Sequence, residues 1–168
     1  SGSSGAVFQI FASTNGGTAW TNVTGTNPNR YPTDISFDPN SSSVAYLAYS
    51  GYGTPHVFRT ADAGLTWTNI SSNLPDIPVQ TIVADPLLSG NIYVGTDLGV
   101  YKSTNTGGSW IVFDNGMPPA MVLDLGISPA NRSLRAATFG NGVYERELPA
   151  PSIFDYSALS LLVGVLLG

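Results

Sequence analysis

Cysteine is absent from the 168-residue chain, and charged residues make up only 10% of it. Without cysteine there are no disulfides, no thiolate metal ligands and no cysteine nucleophile. The absence fits an exported bacterial protein but does not fix the compartment. The six Lys and Arg residues are scattered along a chain of net charge −5, so we do not expect a nucleic-acid partner.

Histidine is nearly absent as well, since His56 is the only one. A zinc site needs several nitrogen, sulfur or oxygen ligands held close together, and a lone histidine is usually structural. We therefore expect neither a metal nor any other cofactor.

Glycine, proline and hydrophobic residues are plentiful. The chain has 19 Gly, 12 Pro and 42% hydrophobic residues. This mixture favours short strands joined by tight turns over helices, and it is too apolar for a disordered chain. The composition predicts an all-β protein.

One eight-residue pattern occurs three times and uses all three tryptophans. It reads Ser/Thr, any residue, Asp/Asn, any residue, Gly, any residue, a small residue, then Trp, and we call each copy a tryptophan turn. The copies are STNGGTAW at 13–20, TADAGLTW at 60–67 and STNTGGSW at 103–110. Their defining residues are Ser13, Asn15, Gly17 and Trp20; Thr60, Asp62, Gly64 and Trp67; and Ser103, Asn105, Gly107 and Trp110.

The repeat extends beyond the tryptophan turns. Eighteen residues after each Trp comes a residue that is followed by proline, as at Asp38. The apolar residues before it have a period of two, as at Ile35 and Phe37, which predicts a strand with one buried face. Two further strands and the next tryptophan turn follow, and a fourth strand begins at the Trp. One period is therefore four antiparallel strands in about 45 residues, the size of a propeller blade. The chain accommodates thirteen such strands, or about three and a quarter blades, which cannot close a ring.

The tryptophan turns have the chemistry of a self-contained fold element. Glycine tolerates positive φ, and the Asp, Asn, Ser and Thr side chains can accept hydrogen bonds from the turn's own backbone. The Trp that follows is expected to bury its ring against neighbouring strands. This predicts a structural role, not a catalytic one, for all twelve defining residues.

These residues resemble the Asp-box, or BNR, repeat of sialidases, xyloglucan-active glycoside hydrolases, sortilin-type receptors and Ycf48-type assembly factors. The resemblance covers residues 7–148, and GNGVYERELP at 140–149 looks like the last blade of bacterial secreted BNR-repeat proteins. It implies an all-β β-propeller with an incomplete ring, located outside the cell or on its surface. Asn15 and Asn105 depart from the family's Asp, but Asn still accepts a hydrogen bond.

Three functions follow from this resemblance. The first is a non-catalytic extracellular module that binds carbohydrate or protein or takes part in assembly, and this is the one we favour. The second is the terminal part of a sialidase-like or xyloglucanase-like glycoside hydrolase, so whether the chain is an enzyme stays open. The third is a self-assembling structural surface protein.

A few residues are candidates for chemistry. Asp34 and Asp124 fall in first strands, which line a propeller's channel, so they are the candidate carboxylates for sugar-bond hydrolysis. Tyr31, Tyr49 and Tyr52 are candidates for stacking on a ligand ring. The arginines show no pattern typical of a sialidase triad.

The ends of the sequence differ from its middle. Residues 1–6 read as a linker or tag, residues 7–148 as the propeller segment, and residues 149–168 as a hydrophobic tail. The apolar run at 158–168 is shorter than the roughly 20 residues that span a bilayer. We expect it to dock on a partner, with membrane contact as a less favoured alternative. An incomplete ring also predicts self-association or further blades of a longer chain.

Overall fold

The structure is a computed structural model that describes residues 7–151. Within that range all regular structure is β, in thirteen antiparallel strands, as the sequence predicts. The strands are β1 (Phe11–Ala12), β2 (Thr21–Asn22), β3 (Pro32–Asp38), β4 (Ser41–Tyr49), β5 (Val57–Thr60), β6 (Thr68–Asn69), β7 (Val79–Ala84), β8 (Ile92–Thr96), β9 (Gly99–Ser103), β10 (Ile111–Val112), β11 (Val122–Ser128), β12 (Ser133–Thr138) and β13 (Gly142–Glu147).

The strands form four separate sheets in chain order. Blade 1 is β1 and β2, blade 2 is β3 to β6, blade 3 is β7 to β10, and blade 4 is β11 to β13. Every pairing joins strands that are neighbours in sequence, and the first strands β3, β7 and β11 lie side by side. Two blades are complete and two are partial, so the ring is incomplete within residues 7–151.

A β-bulge interrupts the first strand of each of the three larger blades. The register shifts between Pro32 and Asp34, between Val79 and Thr81, and between Val122 and Asp124. Bulges re-aim side chains and increase local twist. The same position in three successive blades therefore carries an altered side-chain direction, and two of the three residues there are the candidate aspartates.

The core lies between blades. One buried cluster joins Tyr46 and Val57 of blade 2 to Ile92, Val94 and Trp110 of blade 3. A second joins Tyr93 and Val100 of blade 3 to Val122 and Leu134 of blade 4. Each blade buries its apolar faces against the neighbouring blades. A face is therefore fully covered only where the neighbouring blade has all its strands.

The first strand of blade 2 departs from the sequence prediction. Ile35 and Phe37 were expected on a buried face, but they are 46% and 64% exposed. The equivalent Ile82 and Ala84 in blade 3 are 3% and 6% exposed, because blade 2 covers them. Blade 1 contains only two strands, and these do not cover the same surface of blade 2.

Candidate functional site

Each tryptophan turn is held by its own side chains. In the middle turn Thr60 Oγ1 donates to Asp62 Oδ1 (2.7 Å) and accepts from the Gly64 N–H (2.9 Å). Asp62 Oδ1 also accepts from the Thr66 N–H (2.8 Å). The first and third turns repeat these bonds with Ser and Asn in place of Thr and Asp. The turn carboxylate thus accepts hydrogen bonds within its own turn and is not free to act on a substrate.

Hydrogen bonding also sets the charge state of the only aspartate among these turns. The Thr66 hydroxyl and N–H, then the Thr60 hydroxyl, lower the pKa of Asp62 to about 2. An acceptor that receives several hydrogen bonds favours its ionised form. Asp62 is therefore a poor proton donor at neutral pH, which agrees with a structural role.

The turn tryptophans connect successive blades. Trp67 Nε1 donates to the carbonyl of Val23, and Trp110 Nε1 donates to the carbonyl of Ile70, each at 2.9 Å. The acceptor lies just beyond the fourth strand of the preceding blade in both cases. Trp110 is 3% exposed, whereas Trp20 is 63% exposed, so the expectation that every turn Trp is buried is wrong for Trp20. The reason is that no described blade precedes Trp20.

The two candidate carboxylates differ in environment. Asp34 Oδ2 accepts from Thr81 Oγ1 and from the Ile82 N–H, both at 2.9 Å, and so ties blade 2 to blade 3. Asp124, at the same bulge position of blade 4, is exposed. One carboxylate is committed to an inter-blade contact and the other faces solvent, an arrangement that does not by itself form an acid–base pair.

The three candidate tyrosines separate into two groups. Tyr31 and Tyr52 are 60% and 59% exposed, whereas Tyr49 is 1% exposed and packs edge-to-face on Phe58, with ring centroids 5.5 Å apart. Burial raises the pKa of Tyr49 to about 12. Tyr49 is thus a core residue, and its assignment as a ligand-stacking residue is wrong. The position of Tyr49 at the end of a strand did not reveal this burial. The residues of β4 directly before Tyr49 are all buried, instead of alternating between buried and exposed.

Tyr31 and Tyr52 lie on one surface formed by two loops. The Ser50 N–H donates to the carbonyl of Tyr31 (3.1 Å), and Arg30 Nη2 donates to the carbonyl of Tyr52 (3.2 Å). The Tyr31 ring packs edge-to-face on Phe8, which limits its rotation. We call this the tyrosine loop surface.

Asp76 extends the tyrosine loop surface, and sequence reasoning missed it. Both its carboxylate oxygens accept from the Gly53 N–H (2.8 and 2.9 Å), and Oδ1 lies 3.0 Å from His56 Nε2. The Gly53 N–H, followed by the hydrogen bond and charge of His56, lowers the pKa of Asp76. His56 is buried while the Asp76 side chain is 57% exposed, beside a depression of about 440 Å³. Asp76 lies in a loop with no sequence pattern, so only the fold could identify it.

A buried ion pair between blades 3 and 4 was also missed. Arg132 Nη1 and Nη2 donate to Asp85 Oδ1 and Oδ2 at 2.8 and 3.0 Å, and the Asp85 side chain is fully buried. Burial would raise the pKa of Asp85, but the hydrogen bonds from Arg132 and the Leu87 N–H and the charge of Arg132 keep it below its ordinary value. In the sequence, Asp85 and Arg132 lie in loops and are 47 positions apart, which is about one repeat length. That spacing was the available signal that the two side chains meet between neighbouring blades.

The other arginines are dispersed over the blades. Arg135 pairs with Glu145, and Arg146 stacks on the Phe113 ring with its guanidinium carbon 3.8 Å from the centroid.

Residues 7–151 contain no group of three or more His, Asp or Glu able to hold a metal ion. They also contain no helix with the length and hydrophobicity needed to cross a membrane.

Three solved structures that are similar to the chain are propellers. A GH74 enzyme from Niastella koreensis superposes with a TM-score of 0.65 at 24% identity, over 82% of this chain and 24% of the enzyme. YCF48 bound to D1 peptide gives 0.59 at 19% identity, over 84% of this chain and 45% of YCF48. A gluconolactonase from Xanthomonas campestris gives 0.63 at 16% identity, over 89% of this chain and 47% of the enzyme. The fold is that of a β-propeller.

These propellers are longer than the chain, which spans from about a quarter to just under half of each. No protein-family model matches the sequence, and no curated protein matches it. At these identities the similarity shows the fold. Any function must therefore be argued from the surfaces of the propeller itself.

Proposed function

We propose that the chain is part of a non-catalytic extracellular propeller that binds carbohydrate through the tyrosine loop surface. The observation that carries this is the pair Tyr31 and Tyr52, each about 60% exposed, beside the polar groups of Arg30 and Asp76. Exposed aromatic rings stack on the apolar faces of sugar rings, and charged groups at their edge bond the hydroxyls.

Backbone contacts hold the surface in place before a ligand arrives. The carbonyls of Tyr31 and Tyr52 are bonded to Ser50 and Arg30, and the Gly53 N–H is bonded to Asp76. A preorganised loop loses less conformational entropy on binding. The Asp62 carboxylate, in contrast, accepts hydrogen bonds from its own turn, which argues against catalysis by it.

A glycan array with purified protein tests the proposal. Tyr31→Ala and Tyr52→Ala are each expected to weaken binding by tenfold or more, because each removes one stacking platform. Phe37→Ala is the matched control, since Phe37 is an aromatic residue of similar exposure outside this surface. Glycan binding that persists unchanged in both tyrosine variants would sink the proposal.

A second candidate is the terminal part of a glycoside hydrolase. It is supported by the structural similarity to a GH74 enzyme and by aspartates at the same bulge of blades 2 and 4. A hydrolysis screen with xyloglucan and sialosides decides between the two. Turnover that disappears in Asp34→Asn or Asp124→Asn would establish the enzyme and replace the binding module.

A third candidate is a self-assembling surface protein. It is supported by the exposed apolar side chains of Phe11, Trp20, Ile35 and Phe37, which surround a cavity of about 420 Å³.

We also propose that the tryptophan turns are Asp-boxes, since their hydrogen bonds are those expected of a self-capped turn. The structure of YCF48 with a D1 peptide supports a protein partner as the alternative ligand.

A further inference from the structure

The interface between blades 2 and 3 contains a turn tryptophan within its apolar cluster. Trp110 belongs to a cluster with Val57, Ile70, Leu74, Ile92, Val94 and Tyr101. The Trp110 indole N–H donates to the Ile70 carbonyl. These residues come from both blades, so the tryptophan is part of the interface between them.

The interface between blades 3 and 4 has the same positions without the tryptophan. The Ile70 N–H donates to the Val57 carbonyl, and the Phe113 N–H donates to the Val100 carbonyl, which fixes the correspondence. The equivalents of the six residues that share this cluster with Trp110 are Val100, Phe113, Met117, Leu134, Ala136 and Tyr144. All six line a cavity of about 210 Å³. This cavity, the tryptophan slot, lies where a fourth turn tryptophan would be.

The slot lies beside an open sheet edge. Within residues 7–151, β13 pairs with β12 alone. The Leu148 N–H continues that ladder to the Arg132 carbonyl, so even-numbered residues of β13 bond inward and Val143, Glu145 and Glu147 direct their backbone groups outward. In blade 3 the fourth strand β10 occupies the equivalent edge.

We propose that an extended segment of a separate polypeptide, carrying a tryptophan, adds to β13 as a fourth strand and inserts that side chain into the tryptophan slot. The added strand gains hydrogen bonds from the edge, and the slot selects the aromatic residue. The indole N–H would donate to the Phe113 carbonyl, as Trp67 and Trp110 do to Val23 and Ile70. The blade 2 and blade 3 interfaces thus serve as the template for the bound partner.

A second copy of the chain fits this edge less well than a separate segment. Its exposed Trp20 precedes β2, but the bonding edge of β2 is already paired with β1, Phe11 to Asn22 and Ala12 to Thr21. The predicted docking of residues 152–168 lies outside the described residues, and the experiment below distinguishes this source. The site is separate from the tyrosine loop surface, so the two proposals stand independently.

A synthetic peptide with the sequence of residues 103–113, STNTGGSWIVF, is the probe for binding to the full chain. Fluorescence anisotropy is expected to show saturable binding, and replacing the peptide's Trp by Ala should weaken it at least tenfold. Glu145→Pro removes an outward N–H that the blade does not use, and proline is tolerated on an edge strand. It should abolish binding, whereas the comparison variant Glu145→Ala loses the same side chain but retains that N–H, so it should bind at least tenfold more tightly than Glu145→Pro.

Further variants test the slot itself and identify any other segment that occupies it. Ala136→Leu narrows the slot and should weaken binding, and Tyr31→Ala should leave peptide binding unchanged even if glycan binding is lost. Peptide binding that strengthens tenfold when Ile153 and Phe154 are both replaced by Asp would assign the slot to the chain's own tail. Two further results would overturn the proposal. One is that a second copy of the chain competes with the peptide for this site, and the other is that no form of the chain binds the peptide.

Discussion

At the scale of single residues, three tryptophans with the same local sequence have different energetic importance. Trp110 is 3% exposed and Trp20 is 63% exposed, although both follow the same turn. We expect Trp110→Ala to lower the free energy of unfolding by about 3–5 kcal/mol. Trp20→Ala should cost less than about 1 kcal/mol, because little contact area is lost. Urea unfolding of the two variants measures both, and equal losses would contradict the blade-closing role of Trp110.

The turn glycines provide a second comparison at this scale. Gly17 and Gly107 have φ of 86° and 83°, so alanine is strained at either position. A Cβ at Gly107 would meet Ile70 side-chain atoms at 2.7 and 2.8 Å, whereas at Gly17 the nearest atom is 3.7 Å away. Gly17→Ala is expected to cost about 1 kcal/mol and Gly107→Ala about 1–3 kcal/mol more. Thermal unfolding of both variants checks this, and similar melting temperatures would be the adverse result.

The scale of strands and turns is where sequence reasoning succeeds best. The thirteen strands are confirmed because period-two patterns and proline-ended stretches are local signals. What the sequence did not show is which faces become covered, since Ile35 and Ile82 have the same pattern but exposures of 46% and 3%. Tyr49 and Asp76 were misjudged or missed for the same reason: their surroundings come from residues distant in sequence.

The ion pair between the loops of blades 3 and 4 leads to a prediction about pH. The pKa of Asp85 is lowered in the folded state, so its ionised form stabilises the fold above its unfolded pKa of about 3.9, and this contribution falls away as the pH drops through the lower folded value. Arg132→Met leaves Asp85 buried without its ion-pair partner, which should cost about 3–5 kcal/mol at pH 7. The cost should be clearly smaller at pH 3, because burial without Arg132 favours the protonated form of the Asp85 carboxyl.

Urea unfolding at the two pH values measures this difference, with Arg135→Met as the control. Arg135 pairs with Glu145 where both side chains are about half exposed. Such a pair contributes at most about 1 kcal/mol, so the control should show little cost at either pH. A cost for Arg132→Met that does not change with pH would show that its packing, and not its charge, holds the two blades.

At the scale of the whole molecule, blade order decides where apolar surface remains exposed. Blade 3 is covered by blade 2, but the partial blade 1 leaves Phe11, Trp20, Ile35 and Phe37 between 46% and 64% exposed. A contiguous apolar surface of this kind favours association. No local pattern revealed it, because the same residue types are buried wherever a complete blade precedes them.

This surface predicts concentration-dependent self-association. Sedimentation velocity should show a rising average mass as the protein is concentrated, because burying Ile35 and Phe37 in a contact removes apolar area from water. Phe37→Lys places a charge in that contact and should keep the chain monomeric. Leu98→Lys changes an exposed leucine in the turn between β8 and β9, so it should associate like the unmodified protein. An unmodified chain that stays monomeric at the highest concentration would mean that this surface does not drive association between copies.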